Sequence, residues 1–110
     1  MNIEAIAKEL DFEVLSMPSK EAIAVGAYTG DLLSRVMSHA KENNVWITII
    51  TNINVIAVAS LVNVSAVVIA ENAEVSLEVI EKAKEHKVNL LRTDKTAFEC
   101  AVAINEKINK

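Results

Sequence analysis

Residues 43–70 read NNVWITIITNINVIAVASLVNVSAVVIA, and no charged side chain interrupts them. The run is long enough to span a bilayer, but its internal pattern argues against that. Thr48, Thr51, Asn52, Asn54, Ser60, Asn63 and Ser65 are spread through it, and such groups are costly in hydrocarbon. No collar of basic residues flanks it in the manner of the positive-inside rule. The run also divides into thirds. Residues 45–50 and 64–70 are rich in β-branched side chains, whereas 53–61 are rich in alanine and other small residues. The reading is strand, short buried helix, strand. A strand that is apolar at nearly every position is buried on both faces, as in a parallel sheet covered by helices.

The same alternation continues outward. Ile3, Ile6, Ala7 and Leu10 stand at helical spacing, with Glu4, Lys8 and Glu9 on the wet side. Residues 12–15 read as a short strand, 17–20 as a turn around Pro18, and 23–27 as a second strand leading into Tyr28-Thr29-Gly30-Asp31. Leu32, Leu33, Val36, Met37 and Ala40 form the stripe of a second helix. Thr29 or Asp31 is its expected N-cap and Asn43-Asn44 its stop. Thr51-Asn52 is expected to cap helix 53–61. Further on, Ser76 caps a helix with Leu77, Ile80 and Ala83 inward and a Glu78–Lys82 pair outside. Residues 88–91 read as the last strand. Thr96-Ala97-Phe98-Glu99 has the capping-box pattern and opens a helix with Phe98, Ala101, Ile104 and Ile108 turned inward. This order predicts an α/β fold, a mainly parallel or mixed sheet of about five strands with helices packed on it. No repeat or linker is visible, so residues 1–110 are expected to form a single domain.

Composition narrows the function classes. The chain has 110 residues, 52% hydrophobic and 24% charged, which excludes disorder and leaves room for one core. Aromatics are 4% of the residues, so the core is aliphatic, with Ile49, Ile50, Val67 and Val68 expected in it. Two glycines exclude a glycine-rich phosphate loop. The net charge is −4, and the densest basic group, Lys82, Lys84 and Lys87, is interleaved with Glu81 and Glu85. That is a solvated helix face, and no nucleic-acid partner is expected. Cys100 is the one cysteine and reads as a buried, unreactive thiol. Residues 1–10 have no signal-peptide pattern, so a cytoplasmic location without a membrane anchor is expected.

Chemistry is sparse. His39 and His86 have no Cys, Asp or Glu at ligand spacing on the same face, so no metal site is expected. Asp31 or Asp94 has no partner to complete a catalytic set, and neither an enzyme nor a cofactor is expected. What remains is position. Ligands of open α/β sheets gather at the carboxyl ends of the strands. Those ends are Tyr28-Thr29-Gly30-Asp31, Thr51-Asn52-Ile53-Asn54, Glu71-Asn72 and Thr93-Asp94. A small ligand such as a nucleotide or phosphate compound would meet Tyr28, Thr29, Asp31, Thr51, Asn52 and Asn54 there. The same residue types also dominate ordinary helix caps.

Three segments carry a family resemblance: Tyr28-Thr29-Gly30-Asp31-Leu32-Leu33-Ser34-Arg35-Val36-Met37, Trp46-Ile47-Thr48-Ile49, and Asn52-Ile53-Asn54-Val55-Ile56-Ala57-Val58-Ala59. Together they resemble the DRTGG domain family in its small stand-alone bacterial and archaeal form, over nearly the whole chain. Similar domains are inserted between CBS domains in some inorganic pyrophosphatases and fused to some phosphotransacetylases. The N-terminal domain of HPr kinase/phosphorylase is similar in fold. The resemblance implies a non-catalytic regulatory or scaffolding module that self-associates as a homodimer and modulates a partner enzyme. A small-ligand sensor is the alternative. The chain departs from the family at its namesake residues: the Asp-Arg pair would fall near Thr51-Asn52 and the Thr-Gly-Gly near Glu71-Asn72-Ala73. A dimer also suits a small domain with much aliphatic surface, with helix 53–61 expected near the interface.

Overall fold

The uncharged run folds as β3 (Asn44–Thr48), α3 (Asn54–Val62) and β4 (Ala66–Ile69). Around it the computed structural model, which describes residues 1–109, places α1 (Ile3–Glu9), β1 (Glu13–Ser16), β2 (Gly26–Thr29), α2 (Leu33–His39), α4 (Leu77–Glu85), β5 (Leu90–Arg92) and α5 (Ala97–Ile108). The sheet order is β1-β5-β4-β3-β2. β2 to β5 are parallel, and β1 joins β5 antiparallel with a register shift between Val14 and Ser16. The result is the mixed five-stranded α/β sheet that the pattern predicts. Among the described residues no helix is long and apolar enough to cross a membrane.

Alternation along the strands sorts the core into two layers. Val45, Ile47, Ala66, Val68 and Leu91 pack with Ile3 and Ile6 of α1 and with Cys100 and Ile104 of α5. Trp46, Val67, Ile69 and Leu90 face the other way, against Val36 of α2, Val55, Ile56 and Ala59 of α3, and Val79 and Ala83 of α4. Two-sided burial is why β3 and β4 read as continuous apolar runs.

Helix ends have an unusual composition. Neither glycine has a positive φ, and the left-handed stops fall on Asp11 (φ 57°), Asn63 (φ 64°) and Lys87 (φ 58°). After α1 and α4 the chain closes in the Schellman pattern, Phe12 N–H donating to Ala7 O at 2.9 Å and Val88 N–H to Ala83 O at 2.8 Å.

Several expectations are corrected. β2 covers Gly26–Thr29 rather than residues 23–27. The N-terminal segment pairs with the earlier residues instead: Asn2 bridges Ile23, and Ala24 N–H donates to Met1 O at 3.1 Å. β3 ends at Thr48, so Ile49 is 45% exposed and not part of the core, and Ile50 is half-buried. Leu77 and Phe98 point outward, 70% and 78% exposed. The sequence stripes 77-80-83 and 98-101-104 explain both errors. A spacing of three falls short of a turn by about 60°, so the first member of each stripe lies about 120° from the last. Val79 and Ala83, and Cys100 and Ile104, are the buried positions. Of the stripe expected for the second helix, Val36 is buried, whereas Met37 and Leu32, which precedes α2, are exposed. Lys82 pairs with Glu85 at 3.9 Å rather than with Glu78.

Candidate functional site

Because β2 to β5 are parallel, their carboxyl ends lie along one edge of the sheet. Several of the polar side chains there are engaged with neighbouring groups. Asp31 Oδ1 accepts hydrogen bonds from Thr48 Oγ1 at 2.7 Å and Ile49 N–H at 3.0 Å. Asp31 is therefore not the cap of α2, whose N-cap position is Leu32 with no side-chain bond, and Thr29 lies within β2. Thr48 Oγ1 also accepts from Ile50 N–H at 3.2 Å, and Trp46 Nε1 donates to Gly30 O at 2.9 Å. The loop after β2 is thus stitched to the end of β3. At the start of α3, Asn52 Oδ1 accepts from Asn54 N–H at 2.9 Å, whereas the N-cap position is Ile53, again with no side-chain bond.

After β4, Glu71 and Asn72 are both left-handed, φ 60° and 53°. Their N–H groups donate to Lys95 O and Thr93 O, each at 2.8 Å, which ties this loop to the one after β5. Thr93 Oγ1 accepts from Lys95 N–H at 3.2 Å. Arg92 is held by Glu13, its Nε and Nη2 each 2.8 Å from Oε1. Asp11, Glu13, Asn72, Arg92, Thr93 and Asp94 line a polar depression of about 270 Å³.

The six expected ligand contacts share the edge but are not gathered into one cavity. Tyr28 is half-buried on the α2–α4 side of the sheet. Thr29 is exposed and lines a depression of about 440 Å³ with Ala27, Phe98, Ala101, Val102 and Asn105 on the α5 side. Asn54 lines another of about 190 Å³, which includes Lys82 and His86 of the α4 end. Asp31 is bonded across to the end of β3, Asn52 bonds within its own loop, and Thr51 is half-buried. His39 is exposed, with Nδ1 2.8 Å from Ser38 Oγ.

Two features were missed from sequence. A groove of about 510 Å³ beside α1 and β1 is lined by residues including Phe12, Val14 and Met17; their near-alternate spacing was its only signal. At the opposite edge of the sheet, buried Asn89 accepts from Ser19 N–H at 3.0 Å and donates to Ser19 O at 2.8 Å and Ser65 O at 2.9 Å. It pins the turn around Pro18, and a lone Asn beside a strand gives no hint of that. Cys100 is buried as expected, and desolvation pushes its thiol up to about 11, against a smaller opposing pull from Lys95.

The sequence profile of the DRTGG domain matches residues 5–107. The chain belongs to the DRTGG domain family. No curated protein matches it. Among solved structures, the DRTGG chain is similar to the CBS and DRTGG domains of the regulatory region of Clostridium perfringens pyrophosphatase, complexed with its activator diadenosine tetraphosphate. The TM-score is 0.76 at 17% identity, over 94% of this chain and 45% of that one, so the likeness is one of fold. In this DRTGG domain Thr51-Asn52 and Glu71-Asn72-Ala73 both lie on the carboxyl edge, following β3 and β4. Glu71 and Asn72 hold there the left-handed conformation that glycine adopts without steric cost.

Proposed function

We propose that this DRTGG domain is a non-catalytic regulatory module that self-associates as a homodimer and modulates a partner enzyme. Residues 1–110 work in this reading as one domain in the cytoplasm. The observation that carries it is the state of the carboxyl edge. Catalysis needs an acid, a base or a nucleophile aimed into a cavity. Here Asp31 is bonded to Thr48 and Ile49, Asn52 to Asn54, and Arg92 to Glu13. Glu99 and Cys100, whose titration the fold moves, are a helix cap and a core thiol. Family membership and the likeness to a pyrophosphatase regulatory region point the same way. Exposed Val25, Phe98 and Val102 supply apolar surface for association. Sedimentation velocity from about 1 to 100 μM tests the self-association, a range in which specific interfaces are populated. A dimer is expected; a monomer throughout removes the homodimer.

A second reading is favoured by the dinucleotide activator bound to the Clostridium regulatory region. A nucleotide or phosphate compound would sit at the carboxyl edge, in reach of Tyr28, Thr29, Asp31, Thr51, Asn52 and Asn54. A thermal-shift series with adenine mononucleotides and diadenosine tetraphosphate tests it. Ligand at about 100 times Kd stabilises by about 2.7 kcal/mol. A shift that Asn52→Ala abolishes supports the reading; no shift at millimolar ligand removes it.

A further inference from the structure

We infer that the self-association proposed above, on which this inference rests, runs through the β2 edge of the sheet. β2 of one chain pairs antiparallel with β2 of a second copy about a two-fold axis, and the adjoining faces of α5 meet beside it.

The two edges of the sheet differ. β1 is blunted in the ways natural edge strands are blunted. It has Glu13 paired to Arg92, a register shift between Val14 and Ser16, and Pro18 shortly beyond. β2 has none of these. Residues 22–30 hold no charge and no proline, and the register with β3 is unbroken. The N-terminal segment covers this edge only at its start, where Ala24 N–H donates to Met1 O. Val25 N–H points the other way, to Asn43 O at 3.1 Å. Strand alternation therefore turns the N–H groups of Gly26 and Tyr28 outward, as Ala24 is turned. An edge strand so presented is a template for another strand.

Side chains and charge select the partner. Val25, Phe98 and Val102 are 61%, 78% and 42% exposed. The groove of about 440 Å³ between β2 and α5 has no charged residue in its lining. The chain as a whole is at −4, so two copies carry like net charge. An uncharged face lets them meet without bringing like charges together, and a two-fold axis makes one patch serve both sides. A basic partner would find no acidic counterpart in this lining.

The experiment uses the full chain and two variants. Val25→Lys/Phe98→Lys puts cations on both sides of the axis at exposed positions, so its far-UV circular dichroism should match the wild type, while its thermal midpoint should lose the part that rises with protein concentration. Leu61→Lys charges exposed α3 instead. Sedimentation equilibrium is expected to show a wild-type dimer, a dissociation constant raised at least about tenfold in Val25→Lys/Phe98→Lys, and no change in Leu61→Lys. Hydrogen exchange at the Gly26 and Tyr28 amides should slow as concentration rises. A dimer that survives Val25→Lys/Phe98→Lys overturns this surface while leaving self-association standing. A wild-type monomer overturns both, including the case in which the edge takes a strand from another protein.

Discussion

Asp31 and Thr48 share a hydrogen bond of 2.7 Å that joins the end of β2 to the end of β3 across a sequence separation of 17 residues. The Thr48 side chain is buried, and the same carboxylate oxygen takes the Ile49 N–H. Asp31→Ala leaves that hydroxyl without its acceptor. The expected loss is about 1–3 kcal/mol, the range for an orphaned buried polar group. Asp31→Asn retains an acceptor oxygen and should lose clearly less. Urea unfolding of the two variants checks the order.

The capping box at α5 is complete: Thr96 Oγ1 accepts from Glu99 N–H at 3.1 Å, and Glu99 Oε1 accepts from Thr96 N–H at 2.9 Å. The backbone bond from Thr96, then its side-chain bond, holds the Glu99 carboxyl below its ordinary 4.5. A lowered folded value means that the contribution is present at neutral pH and lost as pH falls from 4.5 through the folded value. Thr96→Ala should cost about 1 kcal/mol at neutral pH. It should also flatten the acid-side loss of stability. Thermal melts from neutral pH down past 4 measure both.

Cys100 gives the opposite sign. Burial raises its thiol from 9.0 to about 11, so the folded state favours the protonated form. That stability is complete below 9.0 and fades as pH climbs toward about 11. Native protein at pH 8 should resist iodoacetamide, whereas urea-unfolded protein should react. Rapid native alkylation would contradict a closed core at α5.

Lys87 sits left-handed where α4 stops, a conformation costly to a residue with a Cβ. Lys87→Gly should stabilise by about 0.5–1 kcal/mol, strain relief outweighing the added unfolded-state entropy. Asn63→Gly should gain less, because Asn tolerates the left-handed region. Urea midpoints of the two variants against the parent check the ranking.

Legibility followed the range of the physics. Residues 43–70 were readable because composition and period are local, and the Thr96 box because four consecutive residues contain it. Leu77 and Phe98 were misplaced because a stripe of threes drifts round a helix. Convergence of the strand ends on one edge followed from strand–helix alternation. The role of Asp31 did not, since its partner lies 17 residues away and a cap was the local reading. Nor did the left-handed pair Glu71 and Asn72, because glutamate gives no turn signal.

Static light scattering of the wild-type chain at about 20 μM, well above the dissociation constant of an ordinary specific interface, tests the central claim most directly. An associating regulatory module predicts a molar mass twice the 12.0 kDa of the chain. A mass of 12.0 kDa at that concentration would contradict it.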